Sequence, residues 1–426
     1  MSSIRKYHYD SIEEVKDYYK NTIITNPKYN TTQFIFTAGD IAQFSDHLVT
    51  ELDKVSMDTF KYIFFKIKKA TLIQIGPDHF NILPFTNINF RNNWGNLISV
   101  PPELLHYNKD KNKWVANNGI IRFESKYIEK CSGMNIIADM FQTLYLRKFA
   151  GISDQPAANF FVNKRDFPIL GKNNTEPYDH IFEDHIPLTT EKYDKYSLIF
   201  SPTTTKFHDD VLMPNFTDWC EVCKEESKYF PDYNYPGEVF ELEFKDKIAR
   251  AIFRGSSTGV FITPANNVRL RACELSVENP DLIDAGIVSK NTKYRKVRYQ
   301  SELQKMSIKD EWIKNYMSED EQLKYKYILI LDGHSAAFRT SRYLKYDSIL
   351  LIPESKFKAW IHQFMFPNYH YIPVARDLSD LCDIIKWCNK NERQCQLIIR
   401  QAKQLYEKIM NMDFILNDLN KHINGK

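Results

Sequence analysis

The stretch "YKYILILDGHSAAFRTSRYL", Tyr325–Leu344, decides how this chain reads. Its first seven residues are apolar apart from Lys326, the pattern of a strand buried on both faces rather than one with a wet side. Asp332, Gly333, Ser335, Ala336 and Ala337 then form a small-residue turn, and Phe338 and Arg339 lead into what reads as a short helix. The whole chain has only 13 glycines, so Gly333 at a strand end stands where backbone needs to approach something closely. Such a turn brings N–H groups to the start of a helix, where an anion is favoured, and arginine adds a bidentate fork. A tight connection beside a surface arginine is the competing reading.

The alternation continues on both sides. Downstream, "SILLI" (348–352) reads as a strand, "SKFKAWIHQFMF" (355–366) as an amphipathic helix and "YHYIPV" (369–374) as a strand. "DLSDLCDIIKWCNKN" (377–391) reads as a helix capped by Asp377 or Ser379. Upstream, "ARAIFRG" (249–255) is a strand ending in Arg254 and Gly255, and "NNVRLRACELSVEN" (266–279) is a helix. Apolar strands separated by one helix each imply βαβ units with a parallel sheet, so the fold class is α/β. Before these, "PAANFFVNKRDFP" (156–168) runs from a strand into a turn, and "YSLIFSP" (196–202) is a further short strand. The first 130 residues alternate less cleanly.

At 426 residues the chain exceeds what one core usually fills. The Pro-, Gly-, Tyr- and Asp-rich stretch "KYFPDYNYPGEVF" (228–240) is the best boundary, giving domains 1–235 and 236–426, with the last helix free to pack back on the first domain. Lys+Arg 57 against Asp+Glu 54 leaves a charge of +3, too balanced for a nucleic-acid-coating protein. No apolar run approaches the roughly 18 residues that span a bilayer, and no signal or retention motif stands at either end, so a cytoplasmic protein is expected. Seven cysteines, an odd number over a long chain, do not suggest a disulfide framework. The single CxxC, Cys220 and Cys223, lacks a second half at zinc-finger spacing.

Three strand ends carry chemistry: "NKRDFP" with Asp166, "IFRGSSTG" with Arg254, and "DGHSAAFR" with Arg339. In open α/β sheets ligands sit outside the carboxyl ends of strands, so these turns are candidates for a shared crevice and a diphosphate cradle. Asp166 beside Arg165 is equally a salt-bridged turn carboxylate. A serine hydrolase is a weaker alternative, because "GSSTG" fits G-x-S-x-G with Ser257 and with His334, His362 and His370 downstream. Its elbow needs a helix at once, whereas "VFITPANN" supplies β-branched residues and Pro264. "FHDD" (207–210) and "DHIFEDH" (179–185) hold candidate metal ligands at no recognised spacing, and there is no D-x-D.

Around these residues the sequence resembles glycosyltransferase family 90, the capsule-associated, KDEL-motif and Rumi-like protein O-glucosyltransferase group. The similarity runs from "KCSGM" (130–134) through "NKRDFP", "IFSPTTTKFHDDVLMPNFTDW", "IFRGSSTG", "NPDLIDAG", "KYKYILILDGHSAAFR" and "DSILLIPES" to "HYIPVARDLSDL" (370–381), in order. The resemblance implies a GT-B enzyme with two Rossmann-like domains facing a central cleft. Such an enzyme moves glucose or xylose from a UDP-sugar to a hydroxyl of a protein or glycan, with inversion and without metal or cofactor. By the same resemblance Asp166 is the base, Arg254 and Arg339 hold the diphosphate, and Gly255, Ser256, Ser335, Ala336, Ala337 and Phe338 are their neighbours. Arg269 matches a family arginine, and Glu354 falls where an acidic residue grips the ribose. The adjacent Arg165 would favour the ionised form of Asp166. The chain departs from secreted members in lacking their leader and paired cysteines, and in its reduced acceptor segment, "NFTDW" (215–219). A virus or microbe glycosylating its own surface material would fit, as would an inactive sugar-nucleotide-binding scaffold.

Overall fold

The computed structural model describes residues 48, 50–63, 69–86, 105–108, 113–116, 134–163, 166–172, 195–223, 241–259, 261–290, 294–296 and 303–425. These fall into two units: residues 241–410 form one, and the described residues before them, together with 411–425, form the other. The stretch 228–240 lies outside the described residues.

The first unit opens with helix α1 (Lys54–Tyr62), started by Asp53, whose carboxylate accepts the Ser56 N–H at 2.7 Å. Strands β1 (Lys69–Ile75) and β2 (Phe80–Thr86), helix α2 (Met134–Lys148), strands β3 (Ala158–Val162), β4 (Ile199–Ser201) and β5 (Val211–Leu212), and helix α3 (Phe216–Val222) follow. The sheet order is β2-β1-β3-β4-β5. β1 is antiparallel to both of its neighbours, and only β3, β4 and β5 run parallel. The unit is therefore Rossmann-like over one side of its sheet only. Leu72, Phe161 and Ile199 pack with Phe60 and Ile63 of the α1 region. Phe160 and Phe200 meet Phe141 of α2 at 5.3 and 5.7 Å between ring centres.

The second unit contains β6 (Ile248–Ser256), α4 (Val268–Glu278), β7 (Ile283–Ser289), β8 (Tyr325–Leu329), α5 (Thr340–Tyr343), β9 (Ile349–Pro353), β10 (Ile372–Val374), α6 (Leu381–Lys390) and α7 (Glu392–Ile409). All five strands are parallel, in the order β7-β6-β8-β9-β10. Alternate residues, among them Phe253, Ala285, Leu329, Leu351 and Val374, share one core with Leu270 of α4, Ile385 of α6 and Ile398 of α7. Their neighbours Ile252, Ile328 and Leu350 are buried too, and burial on both faces is why each strand reads as a continuous apolar run. The strand order reverses between β6 and β8, the switch point at which such sheets take ligands.

Two local expectations change. "SKFKAWIHQFMF" is not an α-helix: Lys358–Ala359 are extended and Trp360–Gln363 form a 3-10 turn. Its apolar spacing is helical, but Trp360 and Ile361 are buried side by side, and His362 Nδ1 accepts the Ala359 N–H at 3.0 Å, closing a tighter turn. Helix α6 starts at Leu381 rather than after Asp377 or Ser379. The Asp377 carboxylate holds the Ser379 N–H in a preceding turn, and Asp380 accepts the Ala375 N–H at 2.9 Å.

The last helix, α8 (Met412–Ile423), belongs to the first unit. It buries Ile415, Leu416 and Leu419 and bonds to that unit through Asp413–Arg147 and Asn420–Gln155, each at 3.0 Å. Among the described residues no helix is long and apolar enough to cross a membrane.

Candidate functional site

The carboxyl ends of β6 and β8 are tied together by arginines. Arg254, 8% exposed, donates to the Asp284 carboxylate at 2.9 Å and to the Asp284 and Phe253 carbonyls at 2.8 and 3.0 Å. Tyr325 Oη donates to the other oxygen of Asp284 at 2.9 Å. Arg254 is thus held within the sheet by an ion pair to the adjacent strand. Its Nε is buried without a partner among the described residues. Its carbonyl accepts both terminal nitrogens of Arg339, each at 3.3 Å.

Arg269, on the first turn of α4, bonds to backbone carbonyls of two strand ends. Nε donates to Asp332 O at 2.8 Å, one terminal nitrogen to Ser256 O at 2.9 Å and Thr258 Oγ1 at 2.6 Å, and the other to Leu331 O at 3.1 Å. Both Arg269 and Arg339 lie over the buried Phe253 ring, at 5.5 and 5.6 Å from its centre. Two glycines make room for this cluster. A Cβ on Gly255 would stand 2.7 Å from Phe253 Cζ, and one on Gly333 would stand 2.7 Å from Thr258 Oγ1 and 3.0 Å from an Arg269 nitrogen.

The turn after β8 is self-bonded. Gly333 N–H donates to Ser335 O, Ala337 N–H donates to the Asp332 carboxylate (both 3.0 Å), and Ser355 Oγ donates to its second oxygen. Burial raises the Asp332 carboxyl above the usual range despite those donors. Ser335, Ala336 and Ala337 are buried, whereas Phe338 and Arg339 are half-buried. Helix α5 has only four residues, too few to build an anion-binding dipole at its start, so that part of the expectation is corrected.

The eleven-residue α4 does open on a cavity. A space of about 510 Å³ lies outside the sheet's carboxyl edge, lined by Gly259, Phe261 and residues 264–268 with the start of α4, by Asp332 and Gly333 after β8, by Pro353–Phe357 after β9, and by Arg376 and Asp377 after β10. That volume lies in the range of small-molecule sites. Of the anticipated residues Glu354 lines it, while Arg254, Arg269 and Arg339 are not in its wall. Sequence reasoning passed over Lys356, Arg376 and Arg271. The available signal was their place at the ends of the next strands and on the first turn of α4.

Asp166 sits in the first unit on an exposed turn after β3. Thr203 Oγ1 donates to its carbonyl at 2.5 Å, and Asn163 Nδ2 donates to Phe167 O at 2.6 Å and to Ser201 Oγ at 3.0 Å. Beneath the turn, Asp210 accepts the Ile169 N–H at 2.8 Å and Ser201 Oγ at 2.5 Å on one oxygen, and the Leu170 N–H at 2.7 Å on the other. Burial still pushes the Asp210 carboxyl up to about 6. Arg165 lies outside the described residues, as do 179–185 and Cys131.

The side chains of "FHDD" are engaged separately: His208 with Thr205 Oγ1 at 2.8 Å, Asp209 with Lys172 at 2.9 Å, and Asp210 as above. Among the described residues no cluster of three or more metal-ligating side chains occurs. Cys220 and Cys223 are buried in the core and form no disulfide. Ser257 is fully buried, and the next helix begins eleven residues later at Val268, so there is no nucleophile elbow. The His362 and His370 rings accept N–H groups of their own loops, from Ala359 and Phe366.

A parallel α/β unit with a cavity at its switch edge defines a class of small-molecule-binding enzyme folds. The chain belongs to glycosyl transferase family 90, whose model matches residues 121–423. It is 31% identical to Uncharacterized protein 035R of Invertebrate iridescent virus 3, across 94% of this chain and 42% of that protein. Over 39% of this chain and 29% of the relative it is 30% identical to Protein O-glucosyltransferase 3 of Homo sapiens. The chain thus spans less than half the length of both relatives. A solved structure, described as the crystal structure of TarM, aligns over 55% of this chain and 52% of its own at 10% identity and a TM-score of 0.31.

Proposed function

We propose that the chain is a glycosyltransferase that moves glucose or xylose from a UDP-sugar to a hydroxyl of a protein or glycan acceptor, with inversion, in a GT-B arrangement and without a metal ion. The observation that carries this reading is the cavity at the switch edge of a parallel sheet in a family 90 chain. It presents an open carboxylate, Glu354, for the ribose hydroxyls beside a tight, glycine-bearing turn. In the reaction Asp166 takes the acceptor proton as the acceptor oxygen attacks the anomeric carbon, and UDP departs with the bonding pair. Arg339, at the far end of the Gly333 turn, balances charge on the leaving diphosphate. Arg254 and Arg269 act through the backbone they hold, together with Gly255, Ser256, Ser335, Ala336, Ala337 and Phe338. The setting is cytoplasmic, that of the host where the chain is viral.

The test is UDP release from a panel of UDP-sugars, with and without EDTA. One productive donor identifies the sugar, and activity that survives EDTA supports the metal-free reading. Asp166→Asn should lower turnover about 10²–10⁴-fold with UDP binding nearly unchanged. Arg339→Ala should weaken UDP by about 2–4 kcal/mol. Retained turnover in the first variant, or unchanged affinity in the second, removes that assignment. The internal engagement of Arg254 and Arg269 favours one other reading, an inactive nucleotide-sugar-binding protein. Binding without release on any donor would establish it.

A further inference from the structure

The cavity wall contains three cations, and they differ in one respect. Arg271 is paired with Glu274 at 2.5 Å. Lys356 and Arg376 have no carboxylate partner among the described residues, and the Lys356 ammonium lies over the adjacent Phe357 ring, 5.1 Å from its centre. Burial, and then the charge of Arg376, pull the Lys356 ammonium below its usual value, so the two cations sense each other. Both side chains are exposed to solvent at the cavity wall, so water screens their repulsion, and an anion between them would relieve it.

The acids in the same wall do not fill that role. The Asp332 carboxylate is occupied by Ser355 Oγ and the Ala337 N–H, and that of Asp377 by the Ser379 N–H. Glu354, by contrast, has no side-chain hydrogen bond among the described residues and faces the same space. An open carboxylate and an open pair of cations in one cavity match a ligand that carries hydroxyls at one end and phosphates at the other. The α4 N-terminus, with Asn267 holding the Arg269 and Leu270 N–H groups, adds positive potential to the same wall.

We infer that Lys356 and Arg376 hold the phosphates of a nucleoside diphosphate in this cavity, in place of the buried Arg254. The inference rests on the donor reading above and names the cations that reading needs. Both residues lie at strand ends next to a segment whose backbone is already bonded, Pro353–Phe357 after β9 and the turn after β10, so neither serves to hold the sheet together.

The experiment is calorimetric titration of the full chain with UDP, uridine and pyrophosphate at fixed ionic strength, for the natural sequence and for K356M, R376Q and the double variant. Thermal melts establish that each variant is folded. UDP affinity should fall about tenfold in each single variant and about a hundredfold in the double one, with uridine unaffected and with K356R restoring part of the loss. If UDP binds the natural chain and all three variants alike, the cation pair is overturned while the donor reading stands. If pyrophosphate binds in a manner that depends on Lys356 and Arg376 but UDP does not bind, the anion site stands and the donor reading fails. If neither binds the natural chain, both fall.

Discussion

Asp210 shows how much one side chain does for a neighbouring turn. Its two oxygens hold Ile169, Leu170 and Ser201, and so fix the segment that carries Asp166 from below. Its carboxyl lies at about 6 in the folded chain against 3.8 in the unfolded one, so the folded state binds the extra proton between those values. The associated stability is full below 3.8 and is lost as pH rises through about 6, on the order of 2–3 kcal/mol in all. Asp210→Asn cannot titrate and turns a donor toward a backbone N–H, so it should cost about 1–3 kcal/mol at low pH. The gap to the natural chain should narrow toward neutral pH, as read from urea midpoints between pH 4 and 7. An unchanging gap would place the titration elsewhere. Nothing in the sequence marks Asp210 off from Asp209, which pairs with Lys172 at the surface. The same blindness affects the arginines: residue type and strand-end position single out Arg254, Arg269 and Arg339, but the direction of a guanidinium depends on partners such as Asp284 that lie in other segments.

At the level of elements, the β6 and β8 ends are joined by α4 through one side chain. Arg269 satisfies three backbone carbonyls at once, those of Ser256, Leu331 and Asp332. A lysine keeps the charge but not the planar fork. Arg269→Lys should therefore destabilise the chain by about 2–4 kcal/mol in urea unfolding and weaken UDP through the loosened Gly333 turn. Full stability in that variant would show that the carbonyls find other donors. The strands of this unit were legible because burial on both faces leaves continuous apolar runs, and α4 was read within "NNVRLRACELSVEN" (266–279), with its Asn267 cap shown only by the structure. The segment 355–366 was misread because helical spacing of apolar residues does not reveal that two adjacent ones, Trp360 and Ile361, are both to be buried. The mixed sheet of the first unit was less legible, since its antiparallel strands β1 and β2 lack the strand–helix rhythm on which the reading relied.

For the molecule as a whole, the division into units does not follow chain order. The described residues 411–425 belong with those at 48–223, and 241–410 form the other unit. Ending the chain at Met410 should therefore damage the far end of the sequence. Loss of Ile415, Leu416 and Leu419, each fully buried, removes on the order of 1.5–3 kcal/mol per side chain. Hydrogen exchange should show protection falling in α2 and β3 while β8 and β9 keep theirs. Equal loss in both sheets would mean that the two units unfold as one. The small-residue turn and the ordered blocks were visible in the sequence, whereas a terminal helix packing back on the first domain was an expectation of the family resemblance, with no local signal in the residues themselves.

That return of α8 has a consequence for synthesis. A ribosome delivers the chain from its amino end, and domains generally fold in the order in which they emerge. Here the unit holding residues 48–223 lacks α8 until that helix has left the exit tunnel, whereas the described residues of the other unit, 241–410, have already emerged. The unit whose residues emerge earlier is completed later than its neighbour, so its apolar faces stay open to chaperones until α8 has emerged.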